Sequence, residues 1–75
     1  MGELANQESA APTPREIQET WPATVSIPIA AAAFGLSRSH AYELVNRGEF
    51  PARVIQVGQR YRVVTASVLR ALSES

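Results

Sequence analysis

Two short helical patterns joined by the tripeptide GLS constrain the fold of this chain more than any other feature of its sequence. The first pattern follows Ser26, a typical N-cap residue, has a proline in its first turn and ends at Gly35. The second follows Ser37, covers residues 38–47 and ends at Gly48. A serine before each pattern and a glycine after it predict two short consecutive helices.

The apolar residues of both patterns recur at helical spacing, and several of them are alanines. Alanine on a buried face lets a second helix approach closely, and Leu36 is expected to fill the turn between the helices. Two short helices that cross at small residues and are joined through glycine form a helix-turn-helix. The predicted buried residues are Ile27, Ala30, Ala31 and Phe34 in the first helix and Ala41, Leu44 and Val45 in the second.

The residues that follow change from helical spacing to alternation. The segments Val54–Val57 and Arg60–Val63 are rich in β-branched residues and predict two strands. A Gly-Gln loop joins them, and its leading glycine suits a type II′ hairpin. One strand face is expected to pack on the helices and the other to present two guanidinium groups. Tyr61 and Val63 belong to the first face, and Arg60 and Arg62 to the second.

A last helical pattern occupies residues 64–75, with Val68, Leu69 and Leu72 on one face and Thr65 as the predicted N-cap. This helix is expected to close the core. The complete prediction is a small α+β winged helix-turn-helix fold, made of the two helices of the helix-turn-helix, a two-stranded β-hairpin wing and a short C-terminal helix.

Composition divides the chain near Trp21. Residues 1–23 are predicted to be a flexible, disordered acidic tail, because their first twenty contain little apolar content to offset the entropy of ordering. A helix over PREIQETW would be unstable in isolation. We expect Trp21 to pack against the edge of the core rather than bind a partner. Deleting residues 1–20 should then spare the fold of the domain predicted over residues 24–75.

The size and composition of the chain exclude several function classes. A 75-residue chain has a small core, and without cysteine it has no disulfides, zinc ribbons or thiol catalysis. No paired carboxylates, metal-ligand cluster or activated nucleophile is present, so neither an enzyme nor a bound cofactor or metal is expected. No segment has the pattern of a signal peptide or a transmembrane helix. The expected location is therefore intracellular, without membrane contact.

The net charge of zero conceals an uneven distribution along the chain. The first 24 residues contain four glutamates and one arginine, a net charge of −3, whereas the remainder contains six arginines and three glutamates, a net charge of +3. The predicted domain is therefore modestly basic. All seven basic residues are arginines, which suit phosphate groups and guanine edges, although codon bias would produce the same preference.

The exposed side of the second helix and the hairpin carry the candidate DNA-binding residues. A polar recognition helix suits base edges in the major groove, its capped N-terminus suits a phosphate, and a short basic hairpin suits the DNA backbone or minor groove. Ordinary solvent-exposed polar faces are the alternative interpretation. The candidates are Ser37, Arg38, Ser39, His40, Tyr42, Asn46 and Arg47 from the helix and Gln59, Arg60 and Arg62 from the hairpin.

Two residues of the second helix have competing interpretations. Glu43 could accept a hydrogen bond from cytosine, but its i, i+4 spacing favours a role in orienting Arg47. His40 could be a metal ligand or a pH switch. Because no second ligand accompanies it, we expect it to lie near a phosphate or the wing.

Residues 24–73 resemble the small winged-helix proteins of the excisionase type, which are related to the DNA-binding domain of MerR-like regulators. The shared pattern is a capped helix with an early proline, a small-residue centre, Gly-apolar-Ser-Arg-Ser, a recognition-helix tyrosine, Gly then Pro, a Val-Gly-x-Arg hairpin and a closing helix. The matching positions are Pro28, Ala31, Gly35, Leu36, Ser37, Arg38, Ser39, Tyr42, Gly48, Pro51, Val57, Gly58, Arg60, Arg62 and Leu69.

Two positions depart from the excisionase-type pattern. Ile29 replaces a residue that is usually polar or acidic, so an apolar side chain is expected at the surface, where Trp21, a second protomer or an integrase could meet it. Val64 replaces a capping residue or proline, so the sequence predicts the start of the last helix only to within about one residue.

The resemblance implies a recombination directionality factor, located in the cytoplasm of a bacterial host cell and associated with the nucleoid. Such a protein binds repeated sites in double-stranded DNA beside the attachment site of a phage or integrative element, bends the DNA and directs an integrase toward excision. Its expected partners are DNA, an integrase and, through cooperative self-association, further copies of the chain. A small transcriptional regulator would use the same surface, and an adaptor that has lost DNA binding is a third alternative.

Overall fold

The computed structural model describes residues 11–73, which form four helices and a three-stranded antiparallel sheet. The strands lie in the order β1-β3-β2. The predicted α+β winged helix-turn-helix is confirmed, and α1 and β1 are additions to it. The elements are α1 (Pro14–Thr20), β1 (Thr24–Val25), α2 (Ile27–Ala33), α3 (Arg38–Asn46), β2 (Val54–Val57), β3 (Arg60–Val64) and α4 (Thr65–Ser73).

The turn between α2 and α3 is built as its sequence predicts. Gly35 has a positive φ of 71°, and the Leu36 N–H donates to the Ala31 carbonyl oxygen at 3.0 Å, which ends α2 in a Schellman arrangement. Leu36 packs against the core, and the Ser37 hydroxyl accepts from the His40 N–H at 3.2 Å as the N-cap of α3. At the start of α2 the predicted serine cap is only partly correct, because Ser26 occupies the N-cap position without a side-chain hydrogen bond.

Alanines form the crossing of α2 and α3. Ala30, Ala31 and Ala41 are each no more than 1% exposed. Ile27 is equally buried, whereas the larger side chains at the border of the crossing are half-buried and pack around it. Small side chains on the buried faces therefore let the two helices of the helix-turn-helix pack closely on each other.

Replacing Ala41 by leucine is expected to destabilise the domain by about 1–3 kcal/mol, because the added atoms have no space at this crossing. Urea unfolding followed by circular dichroism measures the change. Ala32→Leu makes the same substitution on the exposed side of α2 and should have little effect. Equal stability of the two variants would show that the crossing is loosely packed.

The hairpin also follows the prediction. Val57 pairs with Arg60 across the Gly58-Gln59 loop, and Val54 pairs with Val63. Gly58 has a φ of 64°, while no non-glycine residue among those described has a positive φ, as a type II′ turn requires. Val63 is fully buried on the face that packs against the helices.

The predicted cap of the last helix is wrong. Thr65 is the first residue of α4 rather than its N-cap, and its hydroxyl donates to the Pro22 carbonyl oxygen. Its N–H donates to the Ala23 carbonyl oxygen at 2.8 Å. The threonine is therefore buried at the junction with the segment before β1, where both of its donor groups bind that segment.

The structure also corrects the prediction of a disordered tail over residues 1–23. Thr13 and Glu16 form a capping box at the start of α1, and Ile17 is completely buried where α1 packs on α4. Trp21 packs against the core, as predicted. Burial of Ile17 supplies the stabilisation that a seven-residue helix lacks alone. The predicted disorder is therefore wrong for α1, while residues 1–10 lie outside the described part of the chain.

Candidate nucleic-acid interface

The polar side of α3 is exposed over its whole length because the opposite side packs on the core. Ala41 is buried and Leu44 and Val45 are half-buried, which fixes the rotation of the helix. The predicted DNA-binding residues of the helix and its cap are all exposed. These are Ser37, Arg38, Ser39, His40, Tyr42, Asn46 and Arg47.

A groove of about 300 Å³ lies between α3 and the hairpin. The recognition helix contributes Tyr42, which is 41% exposed, and the start of α2 contributes Ser26 and Ile27. The remaining lining comes from the hairpin and includes three predicted site residues. The hairpin residues are Gln59, Arg60, Tyr61 and Arg62.

The groove and its surroundings favour an anionic ligand. Among the described residues, no carboxylate lies within 4.0 Å of the cationic atoms of Arg38 or Arg60, and both side chains are exposed. Two tyrosine hydroxyls and the Gln59 amide add further hydrogen-bond donors. Such a set of donors can hold phosphate oxygens or the acceptor edges of bases.

Arg47 differs from the other arginines of the surface. Its guanidinium lies 3.5 Å from the Glu43 carboxylate and 3.3 Å from the Glu49 carboxylate. The predicted pairing with Glu43 is confirmed, and Glu49 is a second partner that the sequence did not indicate. Two carboxylates offset the charge of Arg47, so it is a weaker candidate for a phosphate contact than Arg38 or Arg60.

Arg62 is half-buried and bound within the protein. Its Nε donates to Thr24 Oγ1 at 3.2 Å, and its Nη2 donates to the Thr24 carbonyl oxygen at 3.0 Å. The predicted wing arginine therefore connects β3 with β1 and also lines the groove.

Tyr61 lines the groove although the sequence assigned it to the buried face of the hairpin. It is 42% exposed because the helices cover that face at Val63 and leave the end nearer the loop open. The sequence signal for this exposure was the position of Tyr61, an aromatic residue close to the hairpin turn.

Ile29 is 48% exposed on α2, which confirms the expectation of an apolar side chain at the surface. The described residues contain no group of three potential metal ligands around His40 or elsewhere. No helix among the described residues is both long and apolar enough to span a bilayer.

Comparison with known protein families assigns most of the chain to a family. Residues 24–75, well over half of the chain, match the family model described as a helix-turn-helix domain. The matched range begins at β1 and contains every residue of the groove. Searches of curated proteins and of solved structures found no significant match.

Proposed function

Since the chain belongs to the helix-turn-helix domain family, we propose that it is a sequence-specific DNA-binding protein of the excisionase type. In this proposal α3 enters the major groove and the β2–β3 hairpin contacts the adjacent backbone or minor groove. The observation that carries it is a pair of exposed arginines without a carboxylate partner among the described residues: Arg60 lines the donor-rich groove, and Arg38 lies on α3 one helical turn before the groove residue Tyr42.

The two elements have different roles in this mechanism. Arg38, Tyr42 and Asn46 would contact base edges and provide sequence specificity. Gln59 and Arg60 would contact phosphates and provide affinity with little regard to sequence. The structure contains donors suited to both tasks.

The finer role is that of a recombination directionality factor. When a helix and a wing bind adjacent grooves, the additional phosphate contacts offset the elastic cost of bending the DNA. A bent attachment site, together with contacts to an integrase, would favour excision over integration. The support for this role is the excisionase-type pattern of the residues, and a MerR-like relationship stands on the same pattern.

A titration against three DNA fragments tests the proposal. The fragments are the attachment-site DNA of the element that carries the gene, the promoter of the gene itself and a scrambled sequence. Stepwise, cooperative and specific shifts on the attachment-site DNA, with altered mobility in a circular-permutation bending assay, are the expected result. Specific binding to the promoter alone would identify the protein as a transcriptional regulator rather than an excisionase. No binding to any fragment would contradict the proposal that the protein recognises DNA.

A further inference from the structure

The contact between Arg62 and Thr24 joins the hairpin to a segment distant in the sequence. Two hydrogen bonds of 3.2 and 3.0 Å hold the guanidinium to the hydroxyl and carbonyl oxygens of one residue. In the register of the sheet Thr24 pairs with Val64, so Arg62 is its diagonal neighbour. The side chain is thus fixed at two of its donor positions before any ligand arrives.

The contact with Thr24 uses only some of the hydrogen-bond donors of the Arg62 guanidinium. Of the five N–H donors in a guanidinium, the Thr24 contacts use two and leave three. Arg62 also lines the groove between α3 and the hairpin, beside Arg60 and Tyr42. Its charge is therefore presented to the groove in one fixed orientation.

Thr24 is itself held in position by the segment before it. Ile17 of α1 is completely buried, and Thr65 at the start of α4 binds the carbonyl oxygens of Pro22 and Ala23. The α1 helix precedes the region that matches the helix-turn-helix family. Two residues outside that region, Pro22 and Ala23, therefore help to hold Thr24, and through it Arg62, in place.

We propose that Thr24 is a positioning residue for DNA binding, which holds Arg62 so that its free N–H groups bind a backbone phosphate in the groove. The inference rests on the proposed function and extends it. It makes residues 22–24 part of the DNA-binding apparatus, although they precede the helix-turn-helix in the sequence. Fixing a long side chain in advance spares the entropy that binding would otherwise cost.

Thr24→Val tests this arrangement because it removes the hydroxyl acceptor and leaves the charge of Arg62 unchanged. Binding of a fluorescein-labelled duplex is measured by anisotropy at several salt concentrations. A duplex of arbitrary sequence is sufficient, since backbone contacts carry no sequence information. Because the bond to the Thr24 carbonyl oxygen remains, we expect Thr24→Val to weaken binding by about 2- to 5-fold, part of the cost of ordering one long side chain.

The salt dependence separates positioning from direct contact. Thr24→Val should keep the salt slope of the parent, whereas Arg62→Ala should reduce it by about one. Thr24→Ser, which keeps the hydroxyl, should restore parental affinity. Thr20→Val is the matched control, because it makes the same chemical change in α1, where the hydroxyl binds the Glu16 carbonyl oxygen.

Thermal unfolding of each variant identifies any loss of the fold. If Thr24→Val does not fold, Arg62→Lys replaces it, because lysine keeps the charge but has no planar fork; it should bind weakly with a parental salt slope. Parental or tighter binding by the folded Thr24→Val variant, or an unchanged slope in Arg62→Ala, would overturn the inference alone. Failure of the parent chain to bind the duplex would overturn the proposed function as well.

Discussion

Replacing Ile17 by alanine is expected to lower the free energy of unfolding by about 2–5 kcal/mol. Ile17 is 0% exposed, and it is the buried residue of α1. The substitution removes three carbon atoms from the contact between α1 and α4, and a helix of seven residues has little stability of its own to compensate. A domain of this size is only marginally stable, so the loss should be a large share of its total stability.

Urea unfolding followed by circular dichroism and by Trp21 fluorescence measures this loss. Gln18→Ala is the control, because it truncates the next, exposed residue of the same helix. Deleting residues 1–20 should be at least as damaging as Ile17→Ala, in contrast to the expectation from sequence. If both Ile17→Ala and the deletion unfold at the parental urea concentration, α1 contributes nothing to the domain.

The error at α1 shows which part of this fold lies beyond local sequence signals. The turn at Gly35 and the hairpin at Gly58 could be predicted because glycine and its neighbours determine their conformation locally. The α1 helix depends on contact with α4, which lies at the other end of the described chain. Its sequence contains the cap and one apolar residue, but only the tertiary contact makes the helix stable. The two-residue strand β1 is too short for any periodicity to reveal it.

The candidate site also has features that local sequence signals predict and features that they do not. Exposure along α3 follows from helical spacing, and the pairing of Glu43 with Arg47 follows from the i, i+4 rule. The contacts of Arg62 could not be predicted, because its partner is 38 positions away in the chain and adjacent only in the folded sheet. The sequence therefore identified a basic hairpin but could not show that one of its two arginines also has a structural contact.

The double substitution Arg38→Ala, Arg60→Ala is expected to weaken DNA binding by about 2–6 kcal/mol, if each contact contributes about 1–3 kcal/mol and the two are independent. Both guanidinium groups are exposed and have no carboxylate within 4.0 Å among the described residues, so no internal interaction competes with DNA for them. Stability should change little, since neither side chain is buried. Anisotropy titrations of the specific and the scrambled duplex measure the effect.

The two single variants should change DNA binding in different ways. Arg38→Ala should lower the ratio of specific to nonspecific affinity, because a contact to a base edge is lost. Arg60→Ala should weaken both complexes equally and reduce the salt slope by about one, because a phosphate contact is lost. Arg70→Ala removes the same charge from the exposed surface of α4, near Pro14 and Gln18 of α1 and outside the groove between α3 and the hairpin, and therefore controls for net charge. If Arg70→Ala matches the effects of the other two, the net charge of the domain, rather than the surface of α3 and the hairpin, holds the DNA.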